Sequence, residues 1–256
     1  MMTPHLRKLL FETLYRNRYL YRFASTVPFA GQWRVWQRLV LSRLAGQDIL
    51  ELGCGLGDLL ADMLAAGYHC QAVERSPQMV EAARLTLKKR HLIGPECIIQ
   101  GSAQQLPFSD QTFDTVVSTF PSEYIYDPAT IAEIERVLRP GGRVIIIEGA
   151  NLLPVGYLQP FLVLIQLVVY GSRALYGPRK EQSLREEVQR SRQGPAAEEQ
   201  ILTSRQEEKE GIIVEELPAA WFGRLIPIEQ NGLVRRSERV RSRRWEVYLT
   251  IGEKSR

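Results

Sequence analysis

A glycine-rich turn between two short apolar segments constrains the fold of this chain more than any other feature. Residues 49–52 read Ile-Leu-Glu-Leu and predict a buried strand that runs directly into the turn at residues 53–57. A helix is predicted at residues 58–64, and a second strand at residues 71–73 ends in Glu74. Strand, glycine turn, helix, strand and acid follow one another in nucleoside-binding βαβ units.

The spacing of the glycines distinguishes this turn from a dinucleotide site. Gly53, Gly55 and Gly57 form G-x-G-x-G, whereas nicotinamide and flavin sites use G-x-G-x-x-G. Glu51 lies two residues before the first glycine, where its charge would repel a pyrophosphate. An anionic rim suits a sulfonium ligand that carries an amino group. Taken alone, the turn is also compatible with other α/β sites or with a plain tight turn.

Further elements follow in a regular order. Strands are predicted at residues 97–99, 115–120 and 143–148, and a helix at residues 128–138. The helix is followed by Arg-Pro-Gly-Gly at residues 139–142, which contains ordinary helix stop signals. The order predicts an open α/β sheet, in which loops at the carboxyl ends of the parallel strands line the ligand crevice.

The motifs in this series resemble those of the type 11 group of class I S-adenosylmethionine-dependent methyltransferases. That group reads G-D-A-x-x-L-P-F, F-D and R-V-L-R-P-G-G, and this chain reads G-S-A-Q-Q-L-P-F at 101–108, F-D at 113–114 and R-V-L-R-P-G-G at 136–142. The group includes quinone-biosynthesis C-methyltransferases and many lipid and small-molecule enzymes. The resemblance implies a doubly wound, mostly parallel α/β sheet of seven strands, Rossmann-like, with one antiparallel strand and with S-adenosylmethionine as cofactor.

The resemblance also assigns a set of cofactor-binding residues. Glu51 is expected near the methionine amino end, Glu74 at the ribose hydroxyls, and residues 102–104 at the adenine edge. The full set is Glu51, Gly53, Cys54, Gly55, Gly57, Glu74, Arg75, Met79, Ser102, Ala103, Gln104, Thr119 and Phe120.

Ser102 departs from the pattern of the family, which has an acid there to accept a hydrogen bond from the adenine amino group. A hydroxyl can accept that bond, but a neutral acceptor is about half as strong as a charged one. Three interpretations stay open: weaker cofactor binding, transfer of the role to Gln104 and backbone groups, or a partly decayed pocket.

The chain divides by composition into four parts. Residues 1–45 predict helices over the cleft, at 5–24 and 33–44, and residues 46–150 predict the cofactor-binding core. Residues 151–211 form an insertion, and residues 212–256 predict a helix and the closing strand pair. The first helix is basic and aromatic, so it either packs over the cleft or also lies on an anionic membrane surface.

The insertion after the fifth strand begins with an uncharged segment at residues 149–172. Its regular part, residues 160–170, would span about 16 Å as a helix, which is about half of a bilayer core. An apolar lid over the substrate is favoured, with shallow membrane insertion or a span as alternatives. Such a lid favours a hydrophobic acceptor, because polar substrates would leave their groups unpaired. No chemistry is expected in the charged residues 178–210.

The C-terminal part predicts a helix at residues 219–230 and strands at 233–240 and 245–251. Six arginines fall between residues 235 and 244 of this strand pair, with one acid among them, Glu238. They can hold lipid headgroups or RNA phosphates, but arginines that keep an exposed edge strand soluble are the favoured explanation. The arginines are Arg235, Arg236, Arg239, Arg241, Arg243 and Arg244.

Composition limits partners and location. A net charge of +4 over 256 residues is too small to indicate nucleic-acid binding. Three cysteines and three histidines without metal-ligand spacing predict no metal site. The cysteines fit a reducing compartment, and no secretory signal is evident at the N-terminus. These features predict a cytoplasmic protein. Peripheral contact with a membrane surface is a further expectation.

The function predicted from the sequence is methyl transfer to a small hydrophobic or lipid-like acceptor by in-line attack. The loop after the fourth strand carries the candidate catalytic residues Glu123, as a base or a ligand for an ammonium group, and Tyr124, which would orient the acceptor. Both side chains could equally cap and pack the following helix. The alternatives are an RNA or protein methyltransferase and a catalytically inactive scaffold.

Overall fold

A single eight-stranded sheet forms the centre of the computed structural model, which describes residues 22, 29, 31–92, 95–152, 212–217 and 226–256. The strand order is β3-β2-β1-β4-β5-β8-β7-β6. The strands are β1 (Asp48–Leu52), β2 (His69–Glu74), β3 (Ile98–Gln100), β4 (Phe113–Thr119), β5 (Leu138–Leu152), β6 (Ile213–Leu217), β7 (Leu233–Arg241) and β8 (Trp245–Lys254).

Strands β1 to β5 pair in parallel, and β8 pairs antiparallel with β5. The doubly wound, mostly parallel sheet is therefore confirmed. The strand count differs from the expected seven, because β6 pairs antiparallel with β7 and adds an eighth strand at the edge. Its Glu215 carboxylate accepts hydrogen bonds from Arg239 of β7, so a strand with two acids is held by an ion pair across the ladder.

Helices cover both faces of the sheet. One face packs against α1 (Trp33–Gln37), α2 (Asp58–Ala65) and α3 (Pro77–Lys89), and the other against α4 (Pro128–Val137). The strands of the parallel core are buried on both sides, which explains their continuous apolar runs. Two apolar cores result, one on each face of the sheet.

Two element boundaries differ from the sequence expectations. The predicted helix at 33–44 is α-helical to Gln37 and continues as a 3₁₀ helix over Arg38–Arg43, a tightening that is common in last turns. The helix α4 ends at Val137, and β5 already begins at Leu138, which pairs with Phe113. A Cβ on Gly142 would lie 2.9 Å from the carbonyl oxygen of Asp114, so glycine permits this irregular start of the strand pair.

Asp114 of the Phe-Asp motif connects the start of β4 to the start of β1, at the amino edge of the sheet. Asp114 Oδ2 accepts hydrogen bonds from the backbone N–H groups of Gln47 and Asp48, at 2.9 and 3.0 Å. Arg139 Nη1 donates to Asp48 at 2.7 Å and to Asp114 at 2.8 Å. The motif therefore acts in folding, at the opposite edge from the glycine turn.

Several predictions fall outside the described residues. They are the N-terminal helix at 5–24 apart from Arg22, the insertion at 153–211, and most of the helix at 219–230. Within the described part of the chain, no helix is long and apolar enough to cross a membrane.

A comparison of two glycines separates the cost of a close contact from the cost of a left-handed backbone conformation. Gly57 and Gly67 both have positive φ, +74° and +90°, but only at Gly57 would a Cβ meet other atoms, 2.8 Å from Ala83 Cβ and 2.9 Å from its Cα. Gly67→Ala is expected to lower the free energy of unfolding by about 1–2 kcal/mol, the cost of a left-handed residue. Gly57→Ala is expected to cost about 1–3 kcal/mol more, because α3 must shift.

Urea unfolding of the two variants and the unchanged chain measures this difference. Equal losses for the two variants would contradict a close contact between the turn and α3.

Candidate functional site

The glycine turn follows β1 at the carboxyl edge of the sheet, where Gly53 is exposed and residues 54–57 are buried. The Gly53 N–H donates to the carbonyl oxygen of Val73 at 2.8 Å, which ties the turn to β2. Gly53 has a φ of +72°, and a Cβ there would lie 2.9 Å from the Tyr124 hydroxyl. The positive φ and the Tyr124 hydroxyl both exclude a side chain at this position. Gly53 therefore presents bare backbone to the crevice.

Glu74 connects the turn to the second strand. The residue is 7% exposed, and its Oε2 accepts a hydrogen bond from the Gly55 N–H at 3.0 Å. Its Oε1 accepts from the Ser76 N–H at 2.8 Å, just before α3 begins. Each oxygen of an ionised carboxylate has two lone pairs. Glu74 therefore keeps acceptor capacity for a pair of ligand hydroxyls.

Glu51 is a second acid at this edge, and it is almost fully buried. It is 1% exposed, and its Oε2 has no hydrogen-bond partner among the residues that the structure describes. Burial, together with the negative charge of Glu74, raises the pKa of Glu51 to about 8. A buried carboxyl oxygen without a donor is costly, so this position favours a ligand with an ammonium or another cationic group.

A cavity of about 160 Å³ opens beside the turn. Its described lining comes from helix α1, the glycine turn after β1, the start of α2 and the end of β4, together with two residues that precede α1. The lining residues are Arg22, Gly31, Trp33, Arg34, Gln37, Gly53, Cys54, Leu56, Asp58 and Thr119. The Gln37 Nε2 donates to Thr119 Oγ1 at 3.3 Å, which connects α1 to the strand end.

Positive charge exceeds negative charge around Asp62, behind one wall of this cavity. The Asp62 carboxylate of α2 accepts hydrogen bonds from Arg34 at 2.6 Å, Arg38 at 2.7 Å and Arg90 at 2.8 Å. Burial alone would raise the pKa of Asp62, but hydrogen bonds from Arg38 and Arg90 outweigh it and hold the pKa below its ordinary value. Asp58, which pairs with Arg22 at 3.7 Å, also lines the cavity, so four arginines face two carboxylates here. Arg34, which lines the cavity, is therefore able to bind an anionic group.

An aromatic wall adjoins the charged one. The ring of Trp33 stacks on Phe120 with a centroid distance of 4.1 Å, and Phe29 packs against Trp33 at 5.2 Å. Phe120 directly follows β4 with a φ of +51°, and its N–H donates to the Ile147 carbonyl oxygen at 2.8 Å. This wall suits a flat apolar molecule.

The remaining cofactor residues predicted from the sequence lie around the ends of β2 and β3. Ser102 and Gln104 are half-buried and hydrogen-bonded to each other, and Ala103 packs at the margin of the apolar core on the α4 face. Arg75 is exposed, whereas Met79 is fully buried against Leu56 and Ala82. The predicted set is thus gathered at the ends of four adjacent strands, and its binding roles stay predictions.

The two candidate catalytic residues lie on a 3₁₀ helix, Glu123–Tyr126. The Tyr124 hydroxyl contacts the Leu52 carbonyl oxygen at 3.1 Å and Ser118 Oγ at 2.8 Å, so it braces the ends of β1 and β4. Glu123 is exposed. Neither residue is among the described residues that line the cavity. Their catalytic role stays a prediction.

The arginines of the closing strands are partly used within the fold. The Arg235 side chain is 4% exposed and donates to the Ile226 carbonyl oxygen. The Arg239 side chain is 9% exposed and pairs with Glu215, and Arg236 pairs with Glu238 at 3.1 Å. These contacts favour the structural explanation for the arginines over a binding patch for phosphates.

Trp33, Arg34 and Gln37 could not be predicted as site residues from the local sequence pattern. The only signal was the predicted helix at 33–44 and the placement of the N-terminal helices over the cleft. Local sequence does not specify which face of α1 meets the strand ends, because that contact depends on packing between distant segments.

Comparison with known sequences identifies the core. Residues 50–146 match the profile of a type 11 family described as methyltransferase domain. The demethylmenaquinone methyltransferase of Clavibacter sepedonicus is 35% identical over 119 residues, which are 45% of this chain and 46% of that protein. The enzyme of the same name from Symbiobacterium thermophilum is 33% identical over 149 residues, 56% of this chain and 58% of that protein. The chain thus spans about half the length of these curated relatives.

Solved structures support the fold. A candidate S-adenosyl-L-methionine-dependent methyltransferase from Methanococcus maripaludis superposes with a TM-score of 0.52 at 17% identity, over 94% of each chain. At that identity the likeness concerns the fold alone. Residues 50–146 are thus similar to the type 11 methyltransferase domains, and the fold is that of a solved S-adenosyl-L-methionine-dependent methyltransferase.

Proposed function

We propose that this chain is an S-adenosylmethionine-dependent methyltransferase whose acceptor is a small hydrophobic molecule with a flat, quinone-like ring. The observation that carries the proposal is the buried Glu51, whose Oε2 has no partner in the described part of the chain, next to the glycine turn and a cavity lined by Trp33. A cationic amino-acid end and a flat apolar acceptor both fit that arrangement.

The residues present fit the cofactor along its whole length. In the order β3-β2-β1-β4, the glycine turn lies between the acid of β2 and the cavity at β4. Glu74 would hold the ribose hydroxyls, and the ends of β2 and β3 would receive the adenine. Glu51 would bind the amino group, and Arg34 the carboxylate, of the methionine end. The two ends of the ligand thus meet groups of complementary charge or polarity.

Once bound, S-adenosylmethionine would supply an electrophilic methyl group on a positively charged sulfur. The chain itself contributes position and exclusion of water. Trp33, which lines the cavity and stacks on Phe120 behind it, would contact the acceptor ring, and the Gln37–Thr119 hydrogen bond would close the cavity between α1 and β4. Glu123 stays the candidate base for an acceptor that must lose a proton, and Tyr124 would orient the loop that carries it.

The acceptor class is supported from two sides. The curated relatives are named demethylmenaquinone methyltransferases, and the aromatic wall in this chain has the shape and polarity for such a ring. The paired arginines of the closing strands weigh against RNA as the acceptor. Contact with a membrane surface from the cytoplasm stays a prediction from the sequence.

Methyl transfer tests the function directly. The purified chain, given S-adenosylmethionine with a labelled methyl group and a detergent-solubilised demethylmenaquinol, is expected to transfer the label to the quinol. RNA and protein fractions serve as competing acceptors. Label in RNA or protein would support the alternative acceptors instead, and cofactor binding without transfer to any fraction would support a scaffold.

A matched pair of variants locates the acceptor. Trp33→Leu should raise the KM for the quinol, because it removes the stacking surface. Val35→Ala, on the exposed side of the same helix, should leave that KM unchanged. Equal effects of the two substitutions would contradict an acceptor at the aromatic wall.

Arg34 provides a second prediction, which concerns the methionine carboxylate. Arg34→Gln is expected to weaken binding of S-adenosylhomocysteine by about tenfold or more, because a hydrogen bond to a charged group contributes about 1.5–3 kcal/mol. Binding of 5′-methylthioadenosine, which has the same nucleoside but no amino-acid end, should not change. Calorimetric titration of both ligands gives the comparison.

Arg38→Gln is the matched control, since Arg38 also pairs with Asp62 but is not among the described residues lining the cavity. It should leave both affinities near those of the unchanged chain. Equal weakening of the two ligands in Arg34→Gln would mean that Arg34 only supports the fold.

A further inference from the structure

Three side chains form a hydrogen-bond chain at the end of β3, beside Glu74. The Gly101 N–H donates to the Glu74 carbonyl oxygen at 3.0 Å, so the residue that follows, Ser102, is held close to the end of β2. Residues 102–105 then form a turn in which the Gln105 N–H donates to the Ser102 carbonyl oxygen at 3.2 Å. The turn brings the side chain of Gln104 back to Ser102.

The chain continues from Gln104 to Asp127. Ser102 Oγ donates to Gln104 Oε1, and Gln104 Nε2 donates to Asp127 Oδ2 at 3.2 Å. The other carboxylate oxygen of Asp127 accepts from the Ala129 N–H at 3.0 Å, at the N-cap of α4. Asp127 is therefore fixed in position by the helix that it caps.

The direction of these bonds follows from the carboxylate. An ionised carboxylate only accepts, so Asp127 must face the NH₂ end of the Gln104 amide. The amide oxygen then faces Ser102 and takes its single hydroxyl proton. Ser102 Oγ has no proton left to donate, but it keeps lone pairs that can accept.

The sheet order places this acceptor where a nucleobase would lie. The glycine turn is at the end of β1, the ribose acid Glu74 is at the end of β2, and Ser102 follows β3 on the far side of Glu74. A nucleoside that runs from the turn across Glu74 therefore ends with its base beside Ser102. This step rests on the proposed function.

We propose that Asp127, acting through Gln104, makes Ser102 an obligate hydrogen-bond acceptor that selects a 6-aminopurine over a 6-oxopurine in the cofactor site. The 6-amino group of adenine donates to Ser102 Oγ. The 6-oxo group of hypoxanthine has only lone pairs to offer, so it would be repelled by the lone pairs of Ser102 Oγ. Asp127 is a positioning residue, because it acts on the ligand only through two other side chains.

The test compares binding of S-adenosylhomocysteine and S-inosylhomocysteine, which differ at the 6-position of the purine and in its N1 proton. The unchanged chain should prefer the adenosine compound by about tenfold or more, the factor for one hydrogen bond lost to an unpaired acceptor. Asp127→Asn keeps a good helix cap. Its NH₂ group, however, faces Gln104 and requires the amide to turn over, which makes Ser102 a donor.

In Asp127→Asn the preference for the adenosine compound should therefore fall to about threefold or less, at an unchanged Tm. Asp110→Asn is the matched control, because it makes the same chemical change at an exposed carboxylate that pairs with Arg136. It should keep the preference of the unchanged chain. Gln104→Met, which removes the polar link at similar size, should lower the preference as Asp127→Asn does.

The outcomes are distinguishable. An unchanged preference in both Asp127→Asn and Gln104→Met would overturn the proposal, and so would equal weakening of both ligands with a lowered Tm in both variants. If neither ligand binds to the unchanged chain, the proposed function itself fails. If both bind but without preference in the unchanged chain, only this inference fails.

Discussion

The hydrogen bonds of the Glu74 carboxylate hold the candidate site together. One oxygen accepts from the Gly55 N–H in the glycine turn, and the other accepts from the Ser76 N–H at the start of α3. The end of β2, the turn after β1 and the first turn of α3 are thereby fixed to one another. Because Glu74 is nearly buried, these charge-assisted bonds are strong and are formed before any ligand arrives. A ligand that binds there therefore meets a preorganised edge.

Charge is separated across this edge in a way that suits a zwitterionic ligand. Glu51 and Glu74 are buried at the strand ends, Arg34 and Asp58 line the cavity, and Arg34, Arg38 and Arg90 pair with Asp62. Burial and the nearby charge of Glu74 raise the pKa of Glu51 to about 8, so a ligand cation beside Glu51 would favour its ionised form. Gly53 lines the same cavity as Arg34, so a ligand that contacts this arginine can also approach the backbone of the turn.

The core strands could be predicted from sequence because β1, β2, β4 and β5 are buried on both faces and read as apolar runs. The edge strand β6 could not, since its sequence Ile-Val-Glu-Glu-Leu has half-exposed acids and depends on pairing with Arg239 of β7. The glycine turn and the acid of β2 were found for the same local reason, a motif at fixed spacing. Trp33 and Arg34 were missed because their place at the site arises from packing of α1 on strands far along the chain.

The substitution at Ser102 illustrates another limit of sequence reasoning. From the sequence, a serine in place of an acid indicated weaker binding, a transferred role or a decayed pocket. The structure adds Asp127, 25 residues further on, whose carboxylate is linked to Ser102 through Gln104. In the sequence Asp127 is only an N-cap before Pro128. Its second contact depends on the turn at residues 102–105, which no local pattern predicts.

The most direct test of the account is the affinity of S-adenosylhomocysteine for the unchanged chain and for Glu74→Gln, by calorimetric titration. Glu81→Gln, the same chemical change at an exposed glutamate of α3, is the control. The account predicts that Glu74→Gln weakens binding by more than about tenfold, from hydrogen bonds of about 1.5–3 kcal/mol to the charged group, while Glu81→Gln binds as the unchanged chain does. Equal affinities for all three proteins would contradict a nucleoside cofactor at Glu74.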